Sequence, residues 1–333
     1  MDLDAYIAAH GAEWDRLEQL LRRGSRLSGA EVDEVVDLYQ RTTTHLSVVQ
    51  SSSRELLLVS RLTTLVSRAR VIVTGARSSP SRDAARFVLV TFPLAAYRAR
   101  RWWAAVALVF VLVATAIGAW VANTPSVQAA IASPEEIRRL VDVEFAHYYS
   151  SNPASSFAVH VWTNNAWVAA LSIVLGGFLG LPVIYLMWQN VLNVGISAGL
   201  MAAYGRTDLF FGLILPHGML ELTSVFLAAG VGLRLGWTVI DPGLRRRSDA
   251  LAQEGRSAIT VAIGLIVVLF ISGVIEAFVT PSGLPTGARI AIGAVAWATF
   301  VTYVLVLGRR ADRLGLSADV GDDAATALAP VSG

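Results

Sequence analysis

Residues 213–236 read LILPHGMLELTSVFLAAGVGLRLG. The stretch has the length and apolarity of a membrane span, yet Pro216, His217, Glu221 and Arg234 lie inside it or at its edge. At a bilayer centre an ionisable side chain costs about 2.5–3.5 kcal/mol even on the lenient insertion scale, so such residues face a protein interior or a wet cavity. On a helix His217 and Glu221 stand one turn apart on one face, where the two side chains can meet. Pro216 lacks an amide hydrogen and crowds the carbonyl of Gly212, which predicts a kink or break where the polar pair begins.

The whole chain agrees with a membrane reading. Of 333 residues 54% are hydrophobic and 16% charged, and the mean hydropathy is +0.56. These values mark a polytopic membrane protein, and the apolar runs along the chain make the expected fold all-α, a membrane helical bundle of about six transmembrane helices. Cysteine is absent, which removes disulfides, thiolate chemistry and Cys-ligated metals. The first hundred residues hold no basic start followed by an apolar core and a small-residue cleavage site, so no cleavable signal peptide is expected.

Residues 1–83 read as a cytoplasmic helical domain. Trp14, Leu17, Leu20 and Leu21 make one apolar stripe, and Val32, Val35, Val36, Leu38 and Tyr39 a second. Ser28 and Glu31 have the spacing of a capping box, which starts the second helix near Gly29. A third helix is expected over 54–73, followed by a linker containing Gly75 and Arg77-Ser-Ser-Pro-Ser-Arg82. Residues 84–101 hold a short apolar run interrupted by Pro93, about half of what a span needs, and are expected to lie flat at the membrane interface among arginines.

The transmembrane domain is read as 102–308, with spans near 102–121, 165–188, 191–204, 209–238, 259–279 and 288–307. The third is short enough that a re-entrant segment is the alternative to a full crossing. An outer loop, 122–161, contains helix, with Tyr148, Tyr149 and Trp162 suited to an aromatic belt. The tail, 309–333, is expected to be disordered. All 27 basic residues are arginine. With six crossings and a cytoplasmic N-terminus, only Arg138, Arg139, Arg206 and Arg289 fall outside, so the positive-inside bias places both termini in the cytoplasm.

Small residues recur every four positions in three successive spans: Gly176 and Gly180, then Gly195, Gly199 and Ala203, then Ala228, Gly232 and Gly236. Close backbone approach drives helix association in lipid, so spans two to four are expected to form a tight core. The same Gly195-Ile-Ser-Ala-Gly199 matches a serine-hydrolase elbow, but it lies in a helical run and not on a strained strand-to-helix turn. A metal site from His217, Glu221 and Glu276 lacks a His-Glu-x-x-His pattern and a third close ligand. No catalytic residues, no metal and no cofactor are therefore expected. The favoured reading is an intramembrane polar network of His217, Glu221, Glu276, Asn190 and Asn193.

Pro216-His217-Gly218-Met-Leu-Glu221, then Ala229-Gly230-Val-Gly232-Leu-Arg234-Leu-Gly236, and Ile275-Glu276-Ala-Phe-Val-Thr280-Pro281-Ser together resemble the stage II sporulation protein M family, in its long, actinobacterial-type form. Trp14 to Leu21, Leu38-Tyr39, and Arg98 with Arg101 fit that form too. The resemblance implies a bacterial cytoplasmic-membrane protein with a scaffold or accessory role in cell-envelope remodelling, beside peptidoglycan-remodelling factors. It implies no catalysis by the signature residues Pro216, His217, Gly218, Glu221, Arg234, Glu276 and Pro281. Membrane lipids and envelope proteins are the expected partners, nucleic acid is not, and self-association stays open. A channel or transporter using Glu221 and Glu276 as charged gates is the alternative, and an intramembrane hydrolase the third reading.

Overall fold

The computed structural model describes residues 3–23, 27–52, 56–73, 80–147 and 154–318. Two compact units divide the chain near Asp83 and Ala84.

The first unit consists of α1 (Leu3–Arg23), α2 (Gly29–Ser52) and α3 (Leu56–Val73). Their stripes close on one core in which Trp14, Leu17, Leu20, Val35, Val49 and Leu62 are fully buried. The capping box forms as expected: the Ser28 amide donates to Glu31 Oε2 at 2.8 Å and the Glu31 amide to Ser28 Oγ at 3.4 Å. The Ser28 amide first, and the Ser28 hydroxyl donating to the same oxygen second, hold the Glu31 carboxyl below the usual carboxylate range. Trp14 Nε1 donates to His45 Nδ1 at 3.1 Å, and the His45 ring lies 4.1 Å from that of His10. Burial first, and His10 second, push the His45 pKa down. Arg54, residues 74–79, Tyr148, Tyr149 and residues 319–333 lie outside the described residues. Pro80, expected in the linker, opens α4 (Pro80–Arg86), since a first helical turn tolerates the missing amide hydrogen.

The second unit is a helical bundle. Among the described residues six helices are long and apolar enough to cross a membrane. They are α6 (Arg100–Asn123), α10 (Ala154–Gly176), α11 (Leu181–Ala203), α12 (Thr207–Ile240), α13 (Arg247–Val274, continued by a π-helical turn over Ile275–Val279) and α14 (Thr286–Arg313). The stretch 213–236 lies within α12, which packs against each of the other five. Its helix runs unbroken through Pro216, so the expected break does not occur.

Beyond helices that start before the expected spans, such as α13 at Arg247 and not near 259, three differences from the expectation bear on the packing. The second and third spans are not 165–188 and 191–204; the chain reverses at 177–180, where Leu179 and Gly180 take positive φ of 57° and 75°. That turn is apolar, so hydropathy carries no mark of it. The third helix thereby gains a full 23 residues and needs no re-entrant geometry. The last helix continues past 309 to Arg313 and ends in a Schellman motif, with Gly315 N bonded to Asp312 O and Leu316 N to Ala311 O.

The third difference concerns 84–101, which does not lie flat on a surface. A π-helical turn (Phe87–Thr91) leads into α5 (Phe92–Arg98), and Phe92, Leu94, Ala95 and Ala96 are buried in the main core. Gly264 on α13 and Gly308 on α14 make room: a Cβ at either would collide with Phe92 or with the Pro93 carbonyl respectively. Arg98 then pairs with Asp312 at 2.9 Å. Length alone suggested an interfacial segment; two distant glycines admit it to the bundle.

The segment between α6 and α10 holds α7 (Pro125–Ile131), α8 (Pro134–Arg139) and α9 (Phe145–His147). Ile137 and Val141 pack with Val121, Leu200, Met201 and Phe210, and Arg206 pairs with Asp142 at 2.5 Å.

Candidate functional site

Three elements converge on His217. It lies on α12 one turn before Glu221, and the π-helical turn after α13 brings up Glu276 and Thr280. A π-helical turn closes an extra residue per ring and is enriched at functional positions; here it is closed by Thr280 N bonding Ile275 O at 3.0 Å. His217 Nε2 stands 3.9 Å from Glu276 Oε1, and Nδ1 stands 3.2 Å from Thr280 Oγ1. Ser272 Oγ donates to the His217 carbonyl at 3.1 Å, tying α13 to α12. From α10, Asn165 lies beside Glu221. One donor atom each from His217, Glu221 and Glu276 lies within 4.8 Å of the others.

The network differs in membership from the expected one. Glu276 joins His217 and Glu221, but Asn190 and Asn193 do not. Asn190 Nδ2 returns to its own helix, donating to Leu186 O at 2.9 Å, and Asn193 is exposed. Their places are taken by Asn165, Thr280 and Ser272. A signal for Asn165 was present, since Asn164 and Asn165 are adjacent amides within an apolar run, but only the α10–α12 packing says which faces inward.

The other signature residues are structural neighbours of this site. Pro216 is buried where α14 crosses closest, and a Cβ on Gly293 would strike the Pro216 carbonyl. Gly218 is buried one residue on from His217. Arg234, more than three helical turns beyond Glu221, pairs with the buried Glu254 at 2.8 Å, and Arg245 stands 3.9 Å from the same carboxylate. Pro281 is exposed and follows the buried Thr280. The Gly195–Gly199 stretch lies inside α11, away from any strand-to-helix turn.

The glycine pattern packs two seams. Gly176 meets the Gly232 backbone, and a Cβ on Gly236 would come within 2.7 Å of Gly176 O, joining α10 to α12. Gly199 instead faces α6, where its Cβ would fall 2.7 Å from Gly118 O. The first span is exposed to the outside through Leu108, Val109, Val111 and Leu112 yet seamed to α11 on its other face. An apolar groove of about 610 Å³ lies among α6, α11 and α12, lined by Phe110, Ala114, Phe210, Ile214 and Phe226, and does not include His217, Glu221 or Glu276.

A family model described as "Stage II sporulation protein M" matches residues 107–281, the stretch that contains every member of the His217 cluster. The chain belongs to the stage II sporulation protein M family. A second model, a domain of unknown function (DUF8413), matches residues 4–75, within the first compact unit. An uncharacterized protein of Methanocaldococcus jannaschii is 26% identical over 123 residues, which is 36% of this chain and 69% of that one. No solved structure matches the chain. In stage II sporulation protein M terms, then, the matched region is the bundle from within α6 to Pro281, and α1–α3 are an additional unit with a core of their own.

Proposed function

We propose that this protein is a non-enzymatic membrane scaffold in bacterial cell-envelope remodelling, with both termini in the cytoplasm and partners among envelope proteins such as peptidoglycan-remodelling factors. The observation that carries the reading is the separate core of α1–α3: a family membrane bundle with a self-contained helical unit appended offers a docking body outside the spans. Apolar side chains left on the surface of α3, Leu57 at 82% and Val71 at 50% exposure, fit that role. Photocrosslinkers at 57 and 71 in growing cells are expected to capture one recurrent envelope protein. Capture of lipid and unrelated abundant proteins alone would remove the reading.

The convergence of His217, Glu221 and Glu276 inside the spans favours a second reading, passage of protons or cations. Full-length protein in liposomes would then show flux that Glu221→Gln abolishes, and no flux for protons or any common mono- or divalent cation would count against it.

A further inference from the structure

We propose that His217, Glu221 and Glu276 hold a divalent cation inside the bundle. The proposal is independent of the scaffold reading, and it concerns occupancy and not flux.

Three observations carry it. First, α12 supplies His217 and Glu221 one turn apart, the turn after α13 supplies Glu276, and together they place one imidazole nitrogen and two carboxylate oxygens within 4.8 Å of each other. One imidazole with two carboxylates is a donor set that suits zinc, manganese or iron(II). Second, the site is largely withdrawn from solvent, with Glu221 half-buried beside two buried partners, and short of cations. His217 and Glu276 side chains are each 6% exposed. Glu221 Oε2 is shielded from solvent and has no hydrogen-bond partner among the described residues. Arg234 is committed to Glu254, and Arg289 donates to Thr280 O at 2.5 Å and Thr286 Oγ1 at 3.0 Å; neither pairs with Glu221 or Glu276. Two carboxylates in such a place are stabilised by one dication, where a lone buried carboxylate would be strongly disfavoured.

Third, the surrounding bonds orient the donors as outer partners of metal ligands do. Thr280 Oγ1 has His217 Nδ1 at 3.2 Å and the Ile275 carbonyl at 3.5 Å; with the hydroxyl hydrogen on that carbonyl, Nδ1 of His217 supplies the hydrogen to Oγ1 and Nε2 keeps its lone pair for a ligand. Asn165 lies beside Glu221. Two zinc-length bonds at the tetrahedral angle span about 3.4 Å, so His217 and Glu276, now 3.9 Å apart, close inward on binding, and the wider donor pairs by up to about an ångström more.

A second His/Glu grouping, His10, Glu13 and His45, lies in the first unit and serves as the internal control. There His45 Nδ1 is already taken by Trp14 Nε1. Full-length protein in detergent, stripped with chelator, is titrated with MnCl2 or ZnCl2 alone. One tightly held equivalent is expected, weakened at least about a hundredfold by Glu276→Gln, about tenfold by Thr280→Val, and unchanged by His10→Ala. The Mn²⁺ spectrum of the unaltered protein should carry coupling to one histidine nitrogen, a readout that needs no variant to fold. Absence of binding by both ions, binding unchanged in a folded Glu276→Gln, loss in His10→Ala, or no nitrogen coupling would each overturn the proposal.

Discussion

His217 Nε2 on α12 faces Glu276 Oε1, 59 positions later in the chain, across 3.9 Å of buried interior. Ser272 and Thr280 bracket that contact, bonding the backbone carbonyl and the ring nitrogen of the same histidine. α12 and the end of α13 are thus fixed in register at a second place where both carry ionisable groups, far from the Arg234–Glu254 pair.

The α10–α12 seam depends on two glycines meeting backbone to backbone. Gly176→Val should lower stability by about 3 kcal/mol, the upper end of ordinary overpacking, because the obstructing atoms are main chain and cannot rotate away. Gly11→Ala, in the interior of α1 with nothing within 4 Å of the new methyl, should instead stabilise by about 0.5–1 kcal/mol. Unfolding of the purified protein in detergent reads both, and a neutral Gly176→Val would contradict the seam.

Arg234 and Glu254 should behave as a pair. Glu254 is buried while Arg234 keeps 26% exposure, so Arg234→Ala is expected to cost about 3 kcal/mol, the low end for breaking a buried ion pair. Arg245→Ala, whose partner is 3.9 Å away, should cost well under about 1 kcal/mol. In a double-mutant cycle, Arg234→Ala with Glu254→Ala should recover a good share of the loss; strict additivity would deny the pairing.

His45 sets a pH dependence for the first unit. Its pKa is depressed in the folded state, so the unfolded chain binds its proton more readily. The histidine's contribution is therefore intact above about 6.5, its ordinary value, and is lost as pH falls from there toward the folded value. Hydrogen-exchange protection of α1 and α2 in the full-length protein should drop between pH 7.5 and 5.5, and His45→Gln should flatten that slope. Glu31, held low by Ser28, acts in a separate window below its ordinary carboxylate range.

Ser28→Ala tests the helix start. Loss of the hydroxyl leaves the Glu31 amide without its partner and should cost about 1 kcal/mol in the stability of the first unit. Fraying of the first turn of α2, read as faster amide exchange at 29–32, is the accompanying sign.

Much of this architecture was legible in the residues. The stripe on α1, the Ser28–Glu31 box and the polar residues inside 213–236 each carry a local physical signature, and each leads to the observed element. What was hidden depended on contacts across the fold. Leu179 turns the chain within an apolar run, so no polarity change announces it. Phe92 and Pro93 are buried because Gly264 and Gly308, far along the chain, leave space for them. The membership of the polar cluster was half visible: Glu276 was expected from its place in an apolar helix, whereas Asn165 was chosen over Asn190 and Asn193 by helix rotation, which polarity alone does not give.

The central claim is that α10, α12 and α13 meet around His217. A Cβ at Gly273 would lie 3.6 Å from Cβ of Trp162, which is disulfide spacing, one turn from Glu276 on one helix and from Asn165 on the other. The chain has no cysteine, so Trp162→Cys with Gly273→Cys gives a clean test. Mild oxidation in membranes should form an intramolecular disulfide in most molecules, seen as loss of maleimide labelling that reductant restores, while Trp162→Cys with Gly283→Cys stays reduced. Full labelling of the 162–273 pair after oxidation, or crosslinks only between chains, would contradict the account.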